Sequence, residues 1–218
     1  MAGPERRSRR TVIGVGFVVL LLLIGVMGFS PLFALREVRV EGAGILAVEQ
    51  VVDVADAPMG RPLAQVSERE IAERVAALPP VAEAHVSRGL PDVVTIQVVE
   101  REPAFVLDTH PAPTLVDAEG FTFAEARETA GLVTATAPAD PETLRGIAAV
   151  LRETGDLRVD RVEAHSPDSI TLFLPEDRRV VVGSGEDVAL KMKVARALLG
   201  ATEARFIDVT APENPSTR

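Results

Sequence analysis

Nineteen consecutive residues near the start of the chain, Thr11 to Phe29, contain no charged side chain, and this run constrains the protein more than any other feature. Thirteen of them are Val, Ile, Leu or Phe; Met27, four glycines and Thr11 complete it. As a helix the run reaches roughly 28 Å, close to the ~30 Å hydrocarbon core of a bilayer. At roughly −0.3 to −0.6 kcal/mol per large apolar residue, insertion is favoured by about 4 to 8 kcal/mol before the glycines are discounted. A cleaved leader has an apolar stretch of about 7 to 15 residues and then a small-x-small cleavage site. Here the run is longer, and Ser30-Pro31-Leu32-Phe33 follows it. The sequence therefore predicts a retained transmembrane helix over residues 11–31.

Charge sets its orientation. Arg6, Arg7, Arg9 and Arg10 stand before the run against Glu5, a local +3 in a chain of formal charge -9, which leaves −12 for everything after residue 10. Basic residues stay on the cytoplasmic side, so residues 1–10 read as a cytoplasmic tail and the bulk as extracytoplasmic. An acidic body argues against nucleic acid, whose affinity rests on neutralising phosphates. With no Trp, no Tyr and only eight Phe, stacking platforms for bases or sugars are scarce. The absence of Cys removes disulfides, thiolate nucleophiles and thiolate metal sites.

Beyond the apolar run the pattern becomes short and mixed. Leu35 to Glu41 alternates around Val38 and Val40 and stops at Gly42-Ala43-Gly44, which reads as a strand with one buried face. Val48, Val51, Val52 and Ala55 form one helical stripe, broken by Pro58 and Gly60. Ser67-Glu68-Arg69-Glu70 is a capping box that starts a second helix, with Ile71, Val75 and Leu78 inward and Pro79-Pro80 ending it. Ala82 to Ser87 and Val93 to Val99 alternate around a turn at Arg88 to Asp92. The order strand, helix, helix, strand, strand predicts two helices on one face of a three-stranded sheet, an α+β unit over residues 33–102.

A second unit is expected over residues 103–218. Phe105-Val106-Leu107 reads as a strand, and Thr114 to Val116 and Phe121 to Phe123 as a hairpin around Asp117-Ala118-Glu119-Gly120. Pro141 opens a helix with Leu144, Ile147, Ala148 and Leu151 inward. Runs at 159–164, 169–174 and 179–183 read as an antiparallel meander. Ser184 to Asp187 reads as a capping box for a helix with Leu190, Val194, Ala197 and Leu198 inward and Lys191, Lys193 and Arg196 outward. Arg205 to Thr210 is the last strand, and Pro212-Glu213-Asn214-Pro215 cannot extend a central strand.

Catalytic constellations are hard to assemble from these residues. His85, His110 and His165 lack neighbours at metal-ligand spacing, and His165 and Ser166 are adjacent, so their side chains diverge. Gly183-Ser184-Gly185 lacks the Lys of a phosphate loop and reads as a strand-to-helix turn. Glu100, Arg101 and Glu102 read as a solvated strand end, Asp53 and Asp56 as a wet helix face, and Asp117 and Glu119 as a polar turn tip. The expectation is a binding protein: not an enzyme, with no cofactor, metal or small-molecule substrate.

The segment from Val38 to Phe105 resembles the POTRA domain of the FtsQ/DivIB cell-division proteins. It carries a strand ending V-x-G, the G-x-P-L of Gly60, Pro62 and Leu63, an L-P-x-V helix end, and a closing motif from Arg88 to Pro103. Leu90 departs from the Trp of many members. "LVDAEG", "VVVGSGED" and "FIDVTAP" are similar to the β domain of that family. Arg outnumbers Lys, which appears only at 191 and 193, so a GC-rich genome of actinobacterial type is suggested.

The resemblance implies an α+β architecture: a transmembrane helix, a POTRA unit and an antiparallel β domain with flanking helices. It also implies a bitopic scaffold at the division septum whose partners are bitopic proteins of the FtsB/DivIC and FtsL type. Matched onto this chain, the partner-binding positions are Phe206, Ile207, Val209, Thr210, Pro212 and Arg218, on a last strand expected at a sheet edge. Removing residues 203–218 is then expected to abolish partner recovery and leave the fold intact. A POTRA-bearing secretion or assembly factor, or a membrane-tethered hydrolase, are the alternative classes; the first needs a barrel or repeated POTRA units, the second a base within reach of a nucleophile.

Overall fold

The computed structural model describes residues 13–20, 25, 33–127 and 131–218, which fall into two compact units, one ending at Glu100 and the other running from Arg101 to Arg218. Residues 13–20 are helical and exposed. The rest of the predicted span over 11–31, Gly25 apart, lies outside the described residues. Among the described residues no helix is long and apolar enough to cross a membrane.

In the first unit, β1 (Glu37–Glu41), β2 (Val81–Gly89) and β3 (Val93–Glu100) form a sheet in the order β1-β3-β2, with β1 parallel and β2 antiparallel to the central β3. Alternation on β3 sends Val94, Ile96 and Val98 into the core. There they meet Val51 and Ala55 of α1 (Val48–Ala55) and Ile71 and Val75 of α2 (Glu68–Ala76). The Ser67 hydroxyl accepts the Glu70 N–H at 3.3 Å and caps α2. Gly42, just after β1, has φ +86°, and a Cβ there would stand 2.2 Å from the Val98 carbonyl oxygen. The chain can leave β1 at this point only without a side chain.

Glu100 is not the solvated strand end expected. Its carboxylate accepts N–H groups from Gly44 (2.9 Å), Ile45 (2.7 Å) and Leu46 (2.9 Å), tying the loop before α1 to the end of β3. Partial burial raises its pKa, but the three amides outweigh that and hold it below the ordinary carboxylate value.

Among the described residues of the second unit, nine strands form one sheet in the order β12-β11-β10-β9-β8-β7-β4-β5-β6. They are β4 (Phe105–Leu107), β5 (Thr114–Val116), β6 (Thr122–Glu125), β7 (Thr134–Thr136), β8 (Arg161–Glu163), β9 (Ile170–Leu174), β10 (Arg178–Gly183), β11 (Phe206–Asp208) and β12 (Ser216–Thr217). The sheet is mixed, not antiparallel: β4 with β7, β7 with β8, and β10 with β11 run parallel. The reason is topological. A parallel neighbour needs a crossover long enough to carry a helix. α3 (Pro141–Arg152) supplies it between β7 and β8, and α4 (Val188–Ala201) between β10 and β11.

The core of this unit gathers Leu144 and Ile147 of α3, Met192 and Ala195 of α4, and Val162, Leu172, Val180 and Ile207 from the strands. Asp140 caps α3, its carboxylate accepting the Thr143 N–H at 3.0 Å. α4 is turned relative to expectation: Val188, Lys191, Met192 and Ala195 face inward while Leu190 is exposed. Lys191 is buried because its ammonium donates to the Ser184 carbonyl at 3.0 Å and lies 3.1 Å from the Ser184 hydroxyl. Ser184 therefore serves a lysine, and the residue before the helix is Asp187, which makes no side-chain cap.

Asp117 likewise is no polar tip. It is 2 % exposed and accepts N–H groups from Glu119 (3.0 Å) and Phe121 (2.8 Å) on one oxygen, and Arg101 at 2.7 Å on the other.

Candidate protein-binding face and edge

The end of the large sheet that carries the expected contact residues is built by register. β11 lies parallel to β10, with Arg179 opposite Phe206, Val180 opposite Ile207 and Val181 opposite Asp208. β11 was expected to be the edge, but β12 folds back and pairs antiparallel to it, Ile207 opposite Thr217 and Asp208 opposite Ser216. The turn between them is local chemistry. The Asp208 carboxylate accepts the Thr210 N–H (3.0 Å) and hydroxyl (2.7 Å), and the Asn214 N–H reaches the Ala211 carbonyl at 2.9 Å. Pro212 therefore sits at the second position of a four-residue turn, where its fixed φ is an asset. It ends β11 as expected, yet it also sends the chain back as a further strand.

Alternation then divides the six expected residues. Ile207 and Val209 are fully buried against the helices, so their side chains cannot meet a partner without unfolding. Thr210 and Pro212 belong to the turn. Phe206 and Arg218 lie together on the helix-free face of the sheet and exchange backbone hydrogen bonds, the Phe206 N–H to the Arg218 carbonyl at 3.1 Å and the Arg218 N–H to the Phe206 carbonyl at 2.9 Å. Thr217, between two such pairs, directs its own N–H and C=O away from β11, toward the open side.

Phe206 and Arg218 continue a row that the sequence reading missed. Arg161 on β8 stands opposite Phe173 on β9, Phe173 opposite Arg179 on β10, and Arg179 opposite Phe206 on β11. The Arg161 guanidinium lies 3.6 Å from the centre of the Phe173 ring, and that of Arg179 lies 5.7 Å away on β10. Cation and aromatic thus alternate across five strands, Arg161, Phe173, Arg179, Phe206, Arg218. Each guanidinium stacked on a ring gains on the order of 0.5–1 kcal/mol at an exposed site. Arg161 also pairs with Glu163. Arg179, Arg205 and Arg218 have no ion-pair partner among the described residues. With Asp177 and Phe206 they line an open depression of about 330 Å³. A concentration of positive charge in an acidic body is suited to carboxylates, which guanidinium groups bind in bidentate fashion. The alternation in β9 and β10 signals which residues face away from the helices, but only register aligns them across strands.

The histidines remain apart. The ring of His85 lies 3.2 Å from the Glu83 carboxylate, and at His165 it is the backbone N–H that donates to the Ser169 hydroxyl. Among the described residues no cluster of His, Cys, Asp or Glu could hold a metal ion.

Residues 33–101 match the family model described as POTRA domain, FtsQ-type. Three similar curated proteins share the name cell division protein FtsQ. That of Mycobacterium leprae is 31 % identical over 229 residues, covering 99 % of this chain and 67 % of its own length. That of Mycobacterium tuberculosis is 33 % identical over 214 residues, covering 95 % and 66 %. That of Streptomyces griseus is 36 % identical over 209 residues, covering 86 % and 98 %.

Proposed function

Because this chain belongs to the FtsQ family of cell-division proteins, we propose that it is a single-pass scaffold of the division septum that holds other division proteins by its second unit. Its tail, residues 1–10, lies in the cytoplasm, residues 11–31 cross the membrane, and the POTRA unit (33–102) and β domain (103–218) work outside. The partners are bitopic proteins of the FtsB/DivIC and FtsL type. They supply an acidic segment that runs along β12 and lays carboxylates over the arginines of the helix-free face. The protein grips and positions; it performs no covalent chemistry.

The observation that carries this reading is the cross-strand row from Arg161 to Arg218, which ends at the open side of β12. A partner strand adding at Thr217 gains main-chain hydrogen bonds, while the row beside it supplies charge and ring contacts. An acidic partner fits because Arg179 and Arg218 of the row, and Arg205 beside it, have no ion-pair partner among the described residues.

The test is recovery of partners from cells expressing the full chain. Arg179→Glu combined with Phe206→Ala should abolish recovery of the FtsB/DivIC-type protein while the chain remains folded and in the membrane fraction. Undiminished recovery would move the contact elsewhere. Deleting residues 203–218 is not a clean test, because it removes the buried Ile207 and Val209 along with the edge. Topology is tested separately: an external protease should cut the two units in spheroplasts without lysis.

A further inference from the structure

Among the described residues from 33 to 100, five large apolar side chains are exposed, Ile45, Val48, Met59, Leu90 and Val99, and two of them belong to one end. Met59 is 56 % exposed and Leu90 78 % exposed. Each stands in a loop bonded to the segment by which the chain enters the unit. The Leu35 N–H donates to the Arg61 carbonyl and the Gly60 N–H to the Leu35 carbonyl, both at 2.8 Å. From the other side, the Arg36 N–H donates to the Asp92 carbonyl at 2.9 Å and the Glu37 N–H to the same oxygen at 3.2 Å. Leu35 itself is buried, so this segment is a wedge gripped by both loops, and neither can move far from it.

The chain upstream fixes what lies next to that wedge. Three residues, 32 to 34, separate position 31, where the apolar segment ends, from Leu35. Fully extended, the four steps from 31 to 35 span at most about 14 Å. The headgroup layer on one side of a bilayer occupies roughly 5 to 8 Å. The Met59 and Leu90 loops are therefore held within reach of the lipid headgroups. Arg36 and Arg61, both exposed at the same end, offer guanidinium groups to phosphate there.

We infer that this end of the first unit is a lipid-contacting surface, with Met59 and Leu90 inserted among the headgroups and Arg36 and Arg61 on their phosphates. The inference rests on the reading of residues 11–31 as a membrane span. The unit is thereby seated on the bilayer at three places, the span and two loop tips, instead of swinging on a single tether. An apolar side chain that would be idle in water gains burial at the interface, and the paired loops fix the rotation of the unit about the span.

The chain has no cysteine, so single labels can be placed at will. The full chain, carrying one of Leu20→Cys, Met59→Cys, Leu90→Cys or Val99→Cys modified with an environment-sensitive fluorophore, is reconstituted into vesicles of phosphatidylglycerol and phosphatidylcholine containing headgroup- or chain-spin-labelled lipid. Val99 is the control: it is exposed and apolar, but lies six residues along β3 from Val93, about 20 Å from the turn that carries Leu90. Labels at 59 and 90 should shift to the blue and be quenched by headgroup spin labels. The label at 20 should be quenched by chain spin labels, and the label at 99 by neither. Quenching at 20 without quenching at 59 and 90 overturns the inference and leaves the span standing. Absence of quenching at 20 overturns the span and the inference with it. Equal quenching at 99 also overturns it, since contact would then be indiscriminate. In the Met59→Asp/Leu90→Asp chain a label at Arg61→Cys should lose the headgroup quenching it shows otherwise.

Discussion

Residues 206 and 207 are neighbours on β11 with opposite duties, and exchanging each for Ala separates them. Ile207 is fully buried in the core that also holds Val180, Met192 and Val209. Ile207→Ala removes three carbons, about 2.4 kcal/mol of transfer free energy at roughly 0.8 per methylene. The cavity left among helix-anchored neighbours brings the expected cost to about 3–4 kcal/mol. For a unit of this size that lowers Tm by roughly 12–16 °C, at about 4 °C per kcal/mol. Phe206 is only half-buried and lies on the helix-free face, so Phe206→Ala should cost about 1 kcal/mol of stability. As a ring in the middle of the proposed contact, its loss should weaken partner binding by about 2 kcal/mol, roughly 30-fold in Kd. The assay is thermal unfolding by circular dichroism, with partner affinity measured on the same preparations of the full chain in detergent. If Phe206→Ala unfolds the protein as readily as Ile207→Ala, or leaves affinity within about threefold of wild type, the assignment of faces and the contact on this edge are both wrong.

Asp117→Ala should destabilise the second unit by about 3–5 kcal/mol, since it strips a buried partner from Arg101 and an acceptor from two amides; Asp117→Asn, which keeps an acceptor for the amides, should cost clearly less in denaturant titrations. Gly120→Ala should cost about 2–5 kcal/mol, because φ there is +80° and the new Cβ would stand 2.6 Å from the Arg145 nitrogen in α3; an unchanged unfolding midpoint would contradict the packing of that turn on the helix. Glu100 has a pKa held below its ordinary 4.5, so its contribution is complete above that value and is lost as pH falls through the lowered one. Glu100→Gln should therefore remove part of the acid sensitivity of the first unit, read as a flatter stability profile below pH 4.5. Binding of the acidic partner should weaken steadily with added salt, and a salt-independent affinity would argue against the arginine row.

The first unit was legible almost throughout because its signals are local. Ser67 and Glu70 mark a helix start, Val94, Ile96 and Val98 alternate cleanly, and the Gly42 stop coincides with a backbone that excludes a side chain. What escaped was long-range. Glu100 and the amides of 44–46 are more than fifty residues apart, and nothing near Glu100 announces that it will cap them. In the second unit the meander expected over β8, β9 and β10 is present, but β7 is only Thr134–Thr136, too short to alternate, so the parallel pairs it makes leave no local signal and the whole sheet reads as antiparallel. The facing of α4 was misjudged because a lysine was assumed to point outward; Lys191 turns inward since Ser184 answers its ammonium. The expected contact residues fall on and after β11, but the side each one faces follows from pairing, and the two-residue β12 that covers β11 carries no hydrophobic signature at all.

A row that alternates Arg with Phe across an open sheet has one more consequence. Two copies of this protein approaching face to face would set guanidinium against guanidinium, so the surface repels its own kind while welcoming carboxylates. Such a face disfavours pairing with its own copy and stays open to a surface of opposite charge.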